Sequence, residues 1–275
     1  MNRTNRSLLN PLSMIQNLWA NRTLIQQFTK REVIGRYKGS YLGIFWSFLT
    51  PLLMLCVYTF VFSMVFKAKW SAGGDSKIEF ALLIFSGLVT FTIFSELISR
   101  APGLIVGNVN YVKKVVFPLE ILPVVVLGSS LIHSCISFGI LISGLFLFLG
   151  VFHWTLILVP LVMLPLVLFS LGLGWFFASL GVFLRDISQI VGIAVQALML
   201  MSPIFYPISA LPEKIRFIYY INPISYVVED MRGILIWGQL PNWPWLIVGT
   251  VIGALVAIGG YAWFQKTRGG FADVL

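Results

Sequence analysis

Few residues in this chain combine a reactive side chain with a setting that could use it. Glu96 and Arg100 stand four apart, the spacing at which a carboxylate and a guanidinium meet on one helix face, so an ion pair is favoured over acid–base catalysis. His133 is a single imidazole inside an apolar run with no obvious acidic neighbour, which suits hydrogen-bonded packing better than a proton relay. His153 lies in one tight turn between apolar runs. Arg185-Asp186 occupies another, where capping or a protein contact is natural. Cys56 and Cys135 fall inside apolar runs at no metal-binding spacing and read as small buried hydrophobes. There is no Ser/His/Asp or HExxH signature. No lysine follows a glycine, so the phosphate-cradling GxxxxGK[ST] loop is missing as well. The chain reads as non-catalytic and without a metal site, and if ATP powers it, another chain binds the nucleotide.

The elements that hold these residues are dictated by composition. Of 275 residues, 58% are hydrophobic and only 11% charged, with a mean hydropathy of +0.92. A soluble domain carries about 25% charged residues, so this chain needs a solvent other than water. Crossing a bilayer takes about 20 apolar residues of helix. Six runs qualify: Ile44–Phe66, Phe80–Ser99, Leu119–Gly150, Trp154–Leu184, Ile187–Tyr206 and Trp245–Phe264. The expected fold is all-α and integral to the membrane. One membrane domain covers 1–275, with an interface segment (1–43), a six-helix region (44–264) and a short tail (265–275).

An even number of spans puts both termini on one side. With the amino terminus inside, the inner segments carry 13 of the 19 Lys and Arg and the outer segments 6. The positive-inside rule therefore places both ends in the cytoplasm. The same distribution, basic flanks on apolar spans, explains the net charge of +9 without invoking nucleic acid. Residues 1–43 are polar and basic with no short apolar core and cleavage site, so the first span is expected to act as the insertion signal.

Three segments do not span. Residues 13–35 read as a helix with Met14, Ile15, Leu18, Trp19, Ile25, Phe28 and Val33 on one half of its circumference, broken by Leu24 and Ile34. Such a helix suits a membrane surface, and a plain soluble helix is the alternative. Residues 100–118 form an inner link with the basic pair Lys113 and Lys114. Residues 207–244 are too hydrophobic for a loop in water and are expected to fold back onto the bundle, where irregular backbone is tolerated if protein surrounds it. Gly249-x-x-x-Gly253, Ser170-x-x-x-Gly174 and Gly174-x-x-x-Ala178 permit close helix approach. Aromatics make up 15% of the chain. They serve either as lipid contacts and interface belts or as rings lining a conduit, with Phe48, Tyr58, Phe62, Tyr206, Tyr219 and Tyr226 as candidates.

Several strings carry a resemblance. Lys30–Gly43 (KREVIGRYKGSYLG) is followed by Phe45-Trp46 and Pro51-Leu52. Asn110–Pro118 (NYVKKVVFP) is followed by Ile121-Leu122-Pro123, and then come Phe183–Ile187 (FLRDI), Ser202–Pro207 (SPIFYP) and Asn222-Pro223. In this order and spacing the chain resembles type-2 ABC exporter permeases, and more narrowly those exporting O-antigen, capsule and teichoic acid polymers.

The resemblance implies a homodimeric permease in the bacterial inner membrane, paired with two nucleotide-binding subunits that hold ATP and its magnesium, exporting a lipid-linked polysaccharide. It also implies an interfacial amino-terminal helix and a coupling helix at about Gly103–Phe117, including Asn110, Lys113, Lys114 and Phe117. Arg185-Asp186 would make a second ATPase contact, and re-entrant gate helices would lie within Ile208–Gly238. The alternatives are the same fold carrying a drug or lipid, and an intramembrane glycosyl or acyl transferase.

Overall fold

The computed structural model describes residues 11–61, 77–113 and 117–275. Phe62 and Lys114 lie outside them. Every regular element among the described residues is helical: α1 (Pro11–Ala20), α2 (Arg22–Gly35), α3 (Trp46–Tyr58), α4 (Lys77–Arg100), α5 (Val109–Lys113), α6 (Ile121–Gly144), α7 (Val159–Phe183), α8 (Ile187–Met201), α9 (Phe217–Ile221), α10 (Pro223–Arg232), α11 (Trp243–Thr267) and α12 (Phe271–Val274), with short 3-10 and π-helical turns between.

Five stretches of this set are long and apolar enough to cross a membrane: Gly43–Val61, Ile78–Gly103, Ile121–Leu149, Trp154–Phe183 and Trp243–Val274. They match five of the expected spans to within a few residues at most boundaries. The last starts earlier and runs further than Trp245–Phe264, because the helix continues through Thr267 and is extended by turns to Val274. The expected span Ile187–Tyr206 is cut short. Its helix ends at Met201, where Ser202 turns extended ahead of Pro203. Proline lacks an N–H and disfavours helix in the residue before it. The 15 residues of α8 reach only about 22 Å, short of the roughly 30 Å hydrocarbon core.

Helix α4 is the hub, with 83% of its apolar stretch buried, and it packs against α3, α6, α7, α8 and α10. The first span is the opposite case, with 6% buried. Cys56 and Cys135, expected to be buried, are both exposed on the apolar exterior. Helices α7 and α11 form the tightest pair. A Cβ at Gly253 would sit 2.8 Å from the Pro165 carbonyl, so backbone meets backbone there. The small-residue spacings are thus spent within the chain, since Gly174 faces Leu97 and Gly249 faces Pro165.

The expected helix over 13–35 is two, divided at Asn21, whose side-chain amide donates to the Asn17 carbonyl. The Asn21 backbone N–H bonds the same carbonyl at 3.1 Å, so the break is a local distortion of one residue. Thr29 and Val33 are buried and Leu24 packs on the core, whereas Ile15 and Trp19, assigned by periodicity to the same apolar face, point outward.

Candidate functional site

A groove of about 590 Å3 with a polar wall lies between α3, α4, α6 and α8. Helical spacing builds its walls. Ser47, Thr50, Met54 and Tyr58 share one face of α3; Thr92, Ser95, Glu96 and Ser99 share one face of α4; His133, Ser134 and Ser137 come from α6, and Gln196 from α8. Several of these hydroxyls donate to their own helix: Ser47 to the Ile44 carbonyl at 2.7 Å, Thr92 to Leu88 at 2.7 Å, Ser95 to Thr92 at 3.2 Å and Ser137 to His133 at 3.1 Å. With their protons committed, these oxygens face the groove as acceptors. His133 Nδ1 lies 3.5 Å from the Tyr37 hydroxyl, and its buried Nε2 has no hydrogen-bond partner among the described residues. Glu96, distant in sequence, shares the groove with it.

Glu96 also does more than pair with Arg100, from which it lies 3.6 Å away. It accepts from Arg36, and Arg100 donates to Glu32. Four alternating charges thereby join the end of α2 to the end of α4. Beyond them lies a second cavity of about 860 Å3, lined by Arg31, Glu32, Lys38, Asn108 and Tyr111, and by Arg36, which lines the groove as well.

At the opposite end of the bundle, one buried side chain ties segment 202–238 to the start of α4. Arg232 is fully buried. Its guanidinium donates to the Leu83 carbonyl at 3.1 Å, the Ile204 carbonyl at 2.7 Å, the Pro203 carbonyl, and Glu229 at 2.8 Å. Burial lowers its pKa to about 10, opposed by the Glu229 carboxylate, so it remains charged at neutral pH. Burial likewise raises Glu229, with Arg232 pulling it back. Gly87 makes room for the guanidinium, since a Cβ there would meet Arg232 Nη2 at 2.9 Å. Asn222 caps α10 through Ile224 N–H and donates to Ser202 at 2.9 Å. The expectation that 207–244 folds onto the bundle is met, because α10 packs on α4 and α7 and Ile224, Val228, Met231 and Ile234 are buried. Arg232, counted in the sequence reading with the outer bases, is inside the protein.

The other sequence candidates are scattered over the bundle. Tyr58 lines the groove, whereas Phe48 is exposed on the far side of α3. The Tyr206 and Tyr219 hydroxyls bond to each other. Tyr226 stacks on Trp245 at 4.3 Å in a separate apolar pocket beside α7 and α11. Asn110 and Lys113 are exposed on α5, while Phe117 is buried, stacked on Tyr111 at 4.5 Å and near Phe28 at 5.3 Å. Arg185 and Asp186 are exposed just beyond α7. Gly181, one turn earlier, lies against the Pro102 backbone, so 101–113 and 185–186 share one end of the bundle. Arg268 closes the same end by pairing with buried Glu120 at 3.0 Å.

This arrangement, a hydroxyl-lined groove with charged chain segments at one end of a helical bundle, can pass a polar solute but holds no constellation for covalent chemistry among the described residues. The sequence profile of the ABC-2 type transporter family matches residues 23–236, which include both cavities' walls. The chain belongs to the ABC-2 type transporter family. Among relatives of this transporter protein, the O-antigen export system permease protein RfbA of Klebsiella pneumoniae is 26% identical over 269 residues, covering 96% of this chain and 99% of the relative. RfbA of Myxococcus xanthus is 25% identical over 269 residues, covering 95% and 99%. The polysialic acid transport protein KpsM of Escherichia coli is 24% identical over 214 residues, covering 74% and 77%.

What sequence reasoning missed in this transporter was the groove's polar wall. The signal was present as Thr92, Ser95, Glu96 and Ser99, spaced three and four apart inside an apolar run. Arg36 and Tyr37 carried no such signal, because their partners are 60 and 96 residues away.

Proposed function

We propose that this chain is the membrane half of an ATP-driven exporter of a lipid-linked polysaccharide, working as two copies with two ATPase subunits in the bacterial inner membrane. The observation that carries the reading is the groove. Its serine, threonine and tyrosine oxygens offer many weak acceptors to sugar hydroxyls, and a path of multiple weak sites lets cargo enter and still leave. The names of the relatives, O-antigen and polysialic acid transport proteins, support the same cargo class. The scarcity of ionisable groups in the spans and the lack of a phosphate loop favour a transport subunit powered from outside over a transferase.

In this reading α8 completes a sixth crossing with the help of the 202–206 turn, both termini are cytoplasmic, and α9 and α10 are re-entrant from the outer side. One domain spans 1–275. The little-buried faces of α3 and α8 suit a second copy, which would close the groove into a conduit with Tyr58 on its wall. Asn110, Lys113, Lys114 and Phe117, together with Arg185 and Asp186, would contact the ATPase. ATP and magnesium would be held by that partner. A push on 101–113 reaches α4, the hub of the bundle, without an intervening flexible link.

The test is an export assay in cells lacking this chain. Surface glycan should return when the chain is supplied with its ATPase and should stay absent with an ATPase unable to hydrolyse ATP. Drug resistance is measured alongside. Restored resistance without surface glycan would overturn the cargo assignment, and glycan export without ATP hydrolysis would overturn the mechanism.

A further inference from the structure

We propose that the chain Glu32–Arg100–Glu96–Arg36 is the inner gate of the groove. It bars passage from the cytoplasm-facing cavity and opens when segment 101–113 is displaced. The inference rests on the reading that the groove conducts cargo. Its basis is geometric. Arg36 lines both cavities; Glu96 faces the groove, and Glu32 and Arg100 face the cavity beyond. The four side chains therefore stand where the two spaces meet. They also come from two separate bodies, with Glu32 and Arg36 at the end of α2 and Glu96 and Arg100 in the last turn of α4. Any relative movement of those bodies must break Arg36–Glu96 and Arg100–Glu32 together.

Arg100 is the last residue of α4 and runs directly into the 3-10 turn Ala101–Gly103. Ala101 and Pro102 are buried against α7 with no spare room at Gly181. A push on 101–113 is transmitted to Arg100 rather than absorbed in a loop.

The degree of exposure separates this gate from the Arg232 cluster. The Arg36 and Arg100 side chains are 36% and 37% exposed around a Glu96 at 10%, whereas Arg232 is at 0%. Partly hydrated ion pairs are weak and break reversibly. A fully buried charge that loses its partners pays a large penalty. The inner chain is thus built to open and close, and the outer cluster to stay shut.

The test uses the protein with its ATPase in inverted vesicles, in a Cys56→Ala, Cys135→Ala background with Thr92→Cys in the groove, one turn from Glu96. A membrane-impermeant thiol reagent is added from the cytoplasmic side without nucleotide. Labelling should be slow, and roughly tenfold faster once Glu96→Gln is added, as expected for losing partly solvated pairs. An unchanged rate would overturn the proposal. Independently, Arg36→Cys and Glu96→Cys joined by a short bis-thiosulfonate linker should stop export, with recovery on reduction. Continued export by the linked protein would also overturn it. Failure of the cysteine-free parent to export at all would instead count against the transport reading.

Discussion

Arg232→Leu is the most direct probe of how the outer segment is held. The substitution deletes a guanidinium that bonds three carbonyls and one carboxylate in the buried interior. Hydrogen bonds to a charged group are worth roughly 1.5–3 kcal/mol each, so simple addition would give roughly 6–12 kcal/mol. That figure is too high, because bonds of one side chain are not independent. Removing one partner of a buried pair costs about 3–5 kcal/mol, most of it from the charge left behind. The Glu229 side chain is 33% exposed and can rehydrate, which puts the loss near the lower end, about 3 kcal/mol. At about 1.4 kcal/mol per tenfold, the opened form of the segment gains about two orders of magnitude.

The assay is hydrogen exchange in a bilayer disc, comparing peptides over Pro223–Trp237 with an internal reference in α11. Protection should fall about a hundredfold in the first and stay constant in the second. Arg232→Lys should fall between, since an ammonium has three donors at a single point and cannot serve all four acceptors that the planar guanidinium spans. Adding Glu229→Leu to Arg232→Leu should recover part of the loss, because the Glu229 carboxylate is no longer left behind. Unchanged protection, a uniform loss along the chain, or a double variant worse than the single would refute the reasoning.

Two further outcomes are expected. Gly238→Ala should lower the midpoint of thermal unfolding, because Gly238 has φ +62 and a Cβ would lie 2.6 Å from His153 Nδ1. The left-handed backbone alone costs about 1–2 kcal/mol, so Gly238→Ala with His153→Ala should recover only the steric part. An unchanged midpoint for Gly238→Ala would contradict this. Lys113→Glu, on exposed α5, should leave membrane levels intact while reducing ATP-dependent export several-fold, read as surface glycan per copy of the chain. Normal export with normal levels would remove Lys113 from the ATPase contact.

The membrane class and most span ends are legible in the order of the amino acids alone. Trp154–Leu184 against Trp154–Phe183 is one example. Lipid acts on each run separately, demanding length and apolarity, so the determinant is local in the sequence. The fold-back of 207–244 was legible for the same reason, since its apolar residues had to leave water. Local rules failed where two local signals competed. Ser202-Pro203 ended α8 inside an apolar run, and a one-residue break at Asn21 divided the amino-terminal helix.

Partnerships were decided by tertiary packing alone. Arg36 finds Glu96 across 60 residues and Arg100 finds Glu32 across 68, because α2 lies on α6 while α4 runs through the centre of the bundle. Arg232 reads as one more outer base, yet it is the most enclosed charge among the described residues, since Leu83, Pro203 and Ile204 supply carbonyls from two distant elements. Whether a side chain meets lipid, water or a counter-charge depends on the neighbours that folding brings to it. Hydropathy along the chain determined that this protein lives in a membrane; the assembly of its helices determined where a polar path runs through it.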